Sequence, residues 1–263
     1  MPIILCRVFP SSESKKRPAA AIKKLNELTD VAVRGDAQVT ILDTWTLFAD
    51  ENGDAPVSMF PDLLHLNDVG YGMWARALTP LLATLGFTET AADDIQIEEG
   101  FRSLFNGQDL SGWGFRPKEV PALYSDSNST PDGRYVAIND RLVVTTPSEG
   151  RRVQQLWTKK EFPGEFMLKL EFRATPNADS GVFVRGPQLQ CRDYRLAGPW
   201  TELKEYRPQE WNELLIVVRN NVAHCSCNGE VLDAEFRLPE TGPIGLEGDR
   251  GQMEYRRIRI RMD

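Results

Sequence analysis

The hydrophobic periodicity of this chain changes once, near residue 90, and that change constrains the fold more than any other feature. Before it, the apolar runs IILCRVF (3–9) and VTILDTW (39–45) are continuous, which is typical of parallel strands buried on both faces. After it, EFMLKLEFRA (165–174) alternates apolar and polar residues, which indicates a strand with one buried face. The sequence therefore predicts an α/β layer followed by a β-rich part.

Two segments with helical spacing accompany the first pair of strands. Residues 18–33 and residues 67–85 repeat apolar side chains every three or four positions, and Asn67 is placed to cap the second helix. The apolar positions are Ala21, Ile22, Leu25 and Leu28 in the first helix and Tyr71, Trp74, Leu78 and Leu82 in the second. We expect a β-α-β-α series within residues 1–88, followed by an acidic linker at 89–97.

The part after the linker, residues 98–263, has the pattern of many short antiparallel strands. GVFVRG (181–186), ELLIVVRNN (213–221) and EYRRIRIRM (254–262) are strand segments, and the turn signals PDG, NG and GPIG separate segments of this kind. Such a series predicts a β-sandwich or jelly roll. In the last strand, the alternation predicts an exposed stripe formed by Arg257, Arg259 and Arg261.

Charge and hydropathy exclude several classes of partner. The net charge is −7 over 263 residues, which argues against nucleic acid and against adsorption to an anionic membrane. No apolar run reaches the roughly 18 residues that a membrane helix needs. The opening MPIILCRVFP lacks the basic leader and the apolar length of a secretory signal, so we expect no signal peptide, and the residues alone leave the compartment open.

Two of the four cysteines, Cys225 and Cys227, lie two residues apart on a predicted strand and therefore share one face. The neighbouring His224 suggests a metal site, but no second close pair exists and His224 faces the other way. We therefore expect buried thiols in a sheet, and we assign no metal ligands.

The stretch PDLLHLNDVGYGMW (61–74) places Asp62 three residues ahead of His65. A histidine can take the proton of a serine hydroxyl when a carboxylate orients its ring, so this pair can serve nucleophilic catalysis. The structural alternative is a helix-entry loop in which Asp62 caps and His65 packs. The spacing alone does not decide between the two.

Residues 2–86 resemble the C-terminal half of an SGNH (GDSL-type) hydrolase, most closely the platelet-activating-factor acetylhydrolase-like branch. The resemblance rests on a strand ending in Phe-Pro, an Asn-Gly loop, the D-x-x-H block and the Gly-Tyr pair after it. It implies that Asp62 is the orienting acid and His65 the base.

The nucleophile that this resemblance requires is missing from the segment. The serine and the oxyanion donors of that family belong to earlier blocks, and Ser11, Ser12 and Ser14 lack the family's Gly-Asp context. We therefore expect no esterase activity from this segment. Half of a doubly wound sheet also leaves a strand edge uncovered, so we expect the segment to dock on the rest of the chain, on another copy (self-association) or on a missing piece.

Residues 98–263 resemble the 3-keto-disaccharide hydrolase family, whose fold is a concanavalin-like jelly roll. GFRSLFNGQDLSGW (100–113) matches the opening block, and LWTKKEFPGEFMLKLEFRATPNADSGVFVRG (156–186) matches the central block. EWNELLIVVRNN (210–221) and GPIGLEGDRGQMEYRRIRI (242–260) match closing blocks. The expected fold class is mainly β: a concanavalin-like jelly-roll sandwich preceded by a partial α/β (SGNH-type) segment. Members are often exported from bacteria, so the resemblance implies an exported or periplasmic protein.

The resemblance also implies cleavage of a 3-keto-glycoside by elimination and hydration. Oxidation of a sugar at C3 acidifies the C2 hydrogen, so that a base can remove it while the C1 substituent leaves. No oxocarbenium ion forms, and a pair of glycosidase carboxylates at fixed spacing is not required. One base, one proton donor and a donor cluster for the enolate suffice, and a divalent metal is one cofactor that can hold the enolate.

Candidate site residues lie on strand faces and loops of this second part. The catalytic candidates are Asp193 and Glu247, and the substrate-binding candidates are Arg185, Gln188, Gln190, Trp200, Tyr206 and Asp249. The segment GPQLQCRDY falls where the family shows a G-x-E-x-Q-I-x-D pattern, so Gln188 replaces a carboxylate and cannot act as a base. In the GLEGDRG turn, Glu247 and Asp249 stand where the family more often has Gln and then Asp-His.

Functions of different classes fit these residues. The first is an enzyme that cleaves 3-keto-glycosides, and the second is a jelly-roll module that binds a glycan without cleaving it, because fold does not fix function. The departures at Gln188 and in the GLEGDRG turn favour the second, whereas the family favours the first. A third is the remnant of an SGNH esterase that lacks its serine. A carbohydrate is the expected ligand of the first two.

Overall fold

The computed structural model describes residues 2–36, 38–88, 96–116, 123–124, 126–146, 153–197 and 202–263. We call residues 2–88 the α/β segment and residues 96–263 the sandwich. In the described part of the chain, no helix is long and apolar enough to cross a membrane.

The α/β segment has the predicted order of strands and helices, with a 3₁₀ turn and one short helix in addition. Its elements are β1 (Ile3–Cys6), a 3₁₀ turn (Glu13–Lys15), α1 (Ala19–Ala32), β2 (Val39–Leu42), α2 (Thr44–Phe48) and α3 (Asp68–Thr84). β1 and β2 pair in parallel. The predicted second strand ends early because the Asp43 side chain accepts from the backbone N–H of Thr46 and starts α2. Asn67 caps α3 as predicted, accepting from Gly70 at 3.0 Å.

The buried faces of both long helices differ from the predicted stripes. α1 buries Ile22 and Asn26 and leaves Leu25 and Leu28 exposed. The Asn26 side-chain amide accepts from the backbone N–H of Val8 at 2.7 Å and donates to the Val8 carbonyl at 3.1 Å. Because these two bonds pair the backbone groups of the chain just after β1, a polar residue is buried at this position. α3 buries Gly70, Ala77, Pro80, Leu81 and Ala83, whereas Tyr71 of the predicted stripe is exposed.

The sandwich consists of two sheets that enclose one apolar core. Among the described residues, the front sheet has the strand order β11-β10-β15-β8-β4-β5 and the back sheet the order β14-β13-β12-β9-β16-β7-β6, with β3 also paired to β16. The strands are β3 (Arg102–Ser103), β4 (Trp113–Gly114), β5 (Leu123–Tyr124), β6 (Tyr135–Ile138), β7 (Arg141–Val144), β8 (Gln154–Glu161), β9 (Phe166–Ala174), β10 (Asp179–Val184), β11 (Gln188–Arg192), β12 (Asn212–Arg219), β13 (Val222–Cys227), β14 (Glu230–Arg237), β15 (Pro243–Gly248) and β16 (Met253–Met262). The prediction of a mainly β sandwich is confirmed.

Alternation along the strands decides which side chains enter the core. In β9 the apolar set predicted for one face is fully buried between the sheets, namely Phe166, Leu168, Leu170 and Phe172. Cys225 and Cys227 are buried free thiols in the same core, as expected from the sequence. Each strand therefore presents its other face outward, and those outward faces are where polar chemistry can lie.

The predicted stripe of exposed arginines on β16 is wrong at its centre. Arg259 is buried, and its guanidinium donates to both carboxylate oxygens of Glu98, at 2.6 and 2.8 Å, and to Glu213 at 3.2 Å. A bulge lies between Arg256 and Arg259, with Arg257 at φ +52°, so the simple alternation fails at this point of the strand. Glu98, the first residue after the predicted linker, is an ion-pair partner of the back sheet.

Candidate active site

The outward face of the front sheet gathers polar and aromatic side chains, and we call it the front face. Alternate residues of its strands enter the core, among them Leu189, Cys191, Val182, Leu246 and Leu156. Their neighbours therefore point outward: Gln188, Gln190 and Arg192 on β11, Asp179 and Phe183 on β10, Glu247 on β15, and Gln155 and Trp157 on β8. These side chains lie outside the apolar core; Gln188 is exposed, whereas Asp179, Trp157 and Glu247 are buried by their neighbours.

Glu247 lies near the middle of the front face. Glu247 belongs to β15 and is paired with Gln155 of the neighbouring strand β8. The amide nitrogen of Gln188 on β11 donates to the Glu247 carboxylate at 2.5 Å. The amide of Gln188 crosses β10 above Gly181, where a Cβ would collide with it. A glycine at 181 is therefore what lets a residue two strands away reach Glu247.

The environment of Glu247 raises its pKa. The residue is 7% exposed, and burial is the larger cause, followed by the neighbouring Asp249 carboxylate. The amides of Gln155 and Gln188 act in the opposite direction, because they donate to the charged form. A carboxylate with a raised pKa that still has donors for its ionised form suits the role of a general base near neutral pH.

The polar end of the front face is built around Asp179. Its carboxylate accepts from Gln190 at 2.6 Å, and the guanidinium groups of Arg192 and Arg250 lie 3.2 and 3.5 Å away. The charge of Asp179 also contributes to the raised pKa of Glu247. This end of the face therefore offers several fixed donors and acceptors beside the candidate base.

The opposite end of the front face is aromatic. Trp157 is 6% exposed and lies over Gly245, where a Cβ would come within 2.6 Å of the indole ring. The Phe183 ring centroid is 5.0 Å from that of Trp157, and the Arg116 guanidinium stacks 3.7 Å from the indole centroid. The indole is therefore largely covered by these neighbours, and the partly exposed ring of Phe183 is the aromatic surface that this end offers.

Besides Arg192 on β11, sequence reasoning missed four residues of this face: Gln155, Trp157, Asp179 and Phe183. Each stands in an alternating strand segment, QQLWT or DSGVF, with a core residue between it and the next outward position. This alternation of inward and outward side chains could be predicted from the sequence. The pairing of β8 with β15, which brings Gln155 beside Glu247, was not.

The structure does not bring Asp193 to the front face. Counting in twos from Leu189 and Cys191, Asp193 falls on the inward side of the sheet, and it is 0% exposed. Its carboxylate accepts from the backbone N–H of Asn177 and from the hydroxyl of Tyr206, both at 3.0 Å. Tyr206 is itself buried and stacks on Phe172 in the core. Both residues, chosen as catalytic and substrate-binding candidates, hold the inside of the sandwich together.

Burial of Asp193 predicts that stability depends on pH. Burial raises the pKa of its carboxyl to about 6 in the folded chain, against about 3.9 in an unfolded one. The folded state therefore keeps a proton that the unfolded state releases, so the free energy of unfolding falls as the pH rises from about 4 to about 6, by roughly 3 kcal/mol.

The Asp193→Asn variant tests this dependence, because an amide does not titrate. Denaturant unfolding at about pH 4 and about pH 7 is expected to show a smaller decrease for the variant than for the wild type. Parallel curves for the two proteins across that range would contradict the prediction. Other titrating groups affect both proteins alike, so the difference between them isolates Asp193.

Arg185, another substrate-binding candidate, has a structural role, because it bonds loops to one another. It is buried at φ +55°, and its guanidinium donates to the backbone carbonyls of Phe162 at 2.7 Å and Pro239 at 2.9 Å, and also to that of Gly164. These bonds join three loops at one end of the sandwich. Trp200, the remaining aromatic candidate, lies outside the described residues.

Asp62 and His65 of the α/β segment form a pair on the surface. The Nδ1 atom of His65 lies 2.6 Å from the Asp62 carboxylate, which also accepts from the backbone N–H groups of Leu64 and His65. The hydrogen bond from His65 is the main cause that holds the pKa of Asp62 well below its usual range. Ser11 donates to the carbonyl of Leu63, and among the described residues no serine is bonded to the His65 ring.

A comparison with protein families finds one match. The model of the 3-keto-alpha-glucoside-1,2-lyase-like domain matches residues 100–261, which is more than half of the 263 residues. The predicted resemblance of residues 98–263 is thereby confirmed at the level of the family. No curated protein matches the chain in sequence.

Solved structures similar to this chain include two from Parabacteroides distasonis, each of a candidate glycosyl hydrolase. One has 17% identity and a TM-score of 0.49, covering 64% of this chain and 98% of the other. The second has 19% identity and a TM-score of 0.44, covering 62% and 99%. A carbohydrate-binding module of Bacillus subtilis has 8% identity and a TM-score of 0.32, covering 56% and 93%.

Proposed function

The chain belongs to the 3-keto-alpha-glucoside-1,2-lyase-like family, and from this premise we propose that it cleaves 3-keto-glycosides on the front face, with Glu247 as the base. The observation that supports the proposal most is the position of Glu247. It is a nearly buried carboxylate with a raised pKa, on an outward strand face and flanked by two amide donors. A carbohydrate is therefore the proposed ligand.

The chemistry needs one proton transfer to a positioned carboxylate. Glu247 takes the proton from C2 of the oxidised sugar, and the electron pair of that C–H bond forms a double bond between C1 and C2. The bond from C1 to its substituent breaks, and the departing oxygen takes up a proton. Water then adds across the double bond and gives the free 3-keto sugar. Gln188 and Gln155 keep the Glu247 carboxylate in place for the first step.

The two ends of the front face are proposed to bind different parts of the sugar. Asp179 with its arginine partners offers donors and acceptors for sugar hydroxyls, and Phe183, which is partly exposed beside the buried Trp157, offers apolar surface for C–H groups. Among the described residues, no group of three or more His, Cys, Asp or Glu side chains could hold a metal ion, and the proposed steps use the protein's own side chains.

The α/β segment carries a second, separate proposal. The Asp62–His65 pair supports the SGNH-type resemblance, and without a serine at the imidazole we propose no ester hydrolysis by this segment. The exposed Leu25 and Leu28 of α1 support the proposal that the segment self-associates.

A release assay tests the main proposal. A 3-keto-disaccharide and its unoxidised parent are supplied side by side, and reducing sugar is measured over time. We expect release from the 3-keto-disaccharide alone, because only the ketone acidifies the C2 hydrogen. Binding of both sugars without release from either would replace the enzyme by a glycan-binding module, a reading that Gln188 in place of a carboxylate already favours.

A further inference from the structure

The two-stranded sheet of the α/β segment has one covered side and one open side. On the side of β2, Val39 and Ile41 line a cavity together with sandwich loops at 175–177 and 250–251, so the sandwich lies on that side. On the other side, β1 has no strand neighbour in the part of the chain that the structure describes. Although β1 has the wholly apolar sequence IILC, none of its four side chains is fully buried, and Ile3 is 43% exposed. The free edge of β1 therefore points away from the sandwich.

The free edge of β1 offers backbone hydrogen-bonding groups. Successive residues of a strand in a parallel pair direct these groups alternately to one side and to the other. The backbone N–H groups of Ile3 and Arg7 donate to the carbonyls of Gln38 and Leu42 on the β2 side, so those of Ile4 and Cys6 face the free edge. An edge of this kind is a template for pairing with a strand of another chain.

Helix α1 carries an apolar stripe on the same side as this free edge. The stripe consists of Ala21, Leu25, Leu28 and Ala32, all of them exposed. With about 100° of rotation per residue, the stripe lies about 110° to one side of the inward direction given by Ile22 and Asn26. Asp30 and Arg34, which line the cavity beside the sandwich, lie on the opposite side of that direction. We call the stripe together with the free edge of β1 the open face.

The stripe is symmetric along the helix. Its residues run Ala, Leu, Leu and Ala, with spacings of 4, 3 and 4 positions. A half-turn about an axis through its centre therefore sets Leu25 against Leu28 of a second copy, and Ala21 against Ala32 of that copy. A two-fold interface requires such self-complementarity, whereas docking of a different polypeptide does not.

The charges along this region favour the same antiparallel arrangement. Residues 15–24 carry five basic and no acidic side chains, whereas residues 27–36 carry three acidic side chains and one basic one. In an antiparallel pair, the basic stretch of one copy runs beside the acidic stretch of the other. A parallel pair would place like charges side by side, which is unfavourable.

The strand edge and the helix stripe are compatible with one axis. Neighbouring strands lie about 4.8 Å apart. A helix over the midline of β1 and β2 therefore lies about 10 Å from its copy when the two β1 strands pair, and packed helices have this spacing. One two-fold axis perpendicular to the sheet thus relates both the strands and the helices.

We propose that two copies of this chain associate through the open face, with β1 antiparallel to β1, so that two sheets of two strands become one sheet of four. The inference rests on the self-association proposed above, to which it adds the surface and the symmetry. Four-residue strands and one helix stripe form a smaller interface than the about 800 Å² per subunit that stable complexes bury, so we expect a dissociation constant in the micromolar range.

Sedimentation velocity of the full chain across micromolar concentrations tests the proposal. We expect the wild type to shift from monomer to dimer, and Leu28→Lys to raise the dissociation constant by about tenfold or more, because it buries a charge at the centre of the stripe. Val69→Lys is the matched control, since Val69 is 62% exposed on α3 and outside the open face. Leu25→Lys is used if Leu28→Lys does not fold. In a second measurement, hydrogen exchange at the Ile4 and Cys6 amides should slow as the wild type dimerises.

The outcomes separate this inference from the proposals above. A wild type that stays monomeric at every concentration would overturn both the open-face dimer and the proposed self-association, and a strand that covers β1 would then have to come from another polypeptide. A dimer that Leu28→Lys leaves intact would overturn the open face alone. Neither result bears on Glu247, because sugar release is measured separately.

Discussion

Replacing Glu247 with glutamine is expected to lower the rate of 3-keto-glycoside cleavage by about 10²- to 10⁴-fold, the usual contribution of a general base. The substitution keeps the size of the side chain and replaces a group that can accept a proton by one that cannot. Binding of the sugar should change far less, because the arginine pairs of Asp179 and the aromatic end remain. The measurement is single-turnover release from a 3-keto-disaccharide at saturating enzyme.

Two controls make this expectation specific. Glu161→Gln is the same substitution at an exposed position on β8 of the same sheet, and it should leave the rate unchanged. In the wild type, kcat/KM should rise with pH through the pKa of Glu247, because only the ionised carboxylate removes a proton, and that pKa lies above the usual value for glutamate. A Glu247→Gln variant with wild-type release would assign the base to another residue.

Part of this site could be predicted from residue parity, and part could not. Gln188 and Gln190 alternate with Leu189 and Cys191, so the short stretch QLQCR already indicates that the two glutamines share an outward face. The same rule places Asp193 inward, and the resemblance to a family motif led to the opposite choice. A motif position states which residue types recur, whereas parity states which side of the sheet they face.

Neighbours across strands are set by register, which the sequence did not supply. Gln155 is 92 positions before Glu247 in the chain, and only the pairing of β8 with β15 brings them together. The bulge on β16 shows the same limit, because it turns Arg259 toward Glu98 and Glu213 although simple alternation predicts an exposed stripe. In α1, Asn26 is buried in place of a leucine because its side chain pairs with the backbone of Val8. Long-range pairing and local polar satisfaction decided these positions, and neither leaves a periodic signal.

The largest stability effect is expected at Glu254, on the outward side of the back sheet. Glu254 is 1% exposed and lies 2.6 Å from the Arg141 guanidinium and 2.9 Å from that of Arg173, while Gln252 donates to its other oxygen at 3.1 Å. Glu254→Gln keeps the shape and removes the charge, which leaves two guanidinium groups near each other without their shared anion. Breaking a buried ion pair in this way costs about 3–5 kcal/mol of unfolding free energy. Denaturant unfolding at constant pH measures it.

The matched control is Glu165→Gln, which removes a carboxylate 3.3 Å from Arg219 in a largely solvated pair and should cost about 1 kcal/mol or less. A Glu254→Gln variant as stable as the control would mean that water solvates the Arg141 and Arg173 groups in place of the lost anion. Because Glu254 belongs to the back sheet and Glu247 to the front face, cleavage per folded molecule should be unaffected by Glu254→Gln. We expect Glu254→Gln to lower the free energy of unfolding without lowering the cleavage rate, and Glu247→Gln to lower the rate without lowering the stability. That result would separate the two roles between the sheets: the ion pairs of Glu254 stabilise the back sheet, and the proposed chemistry lies on the front sheet.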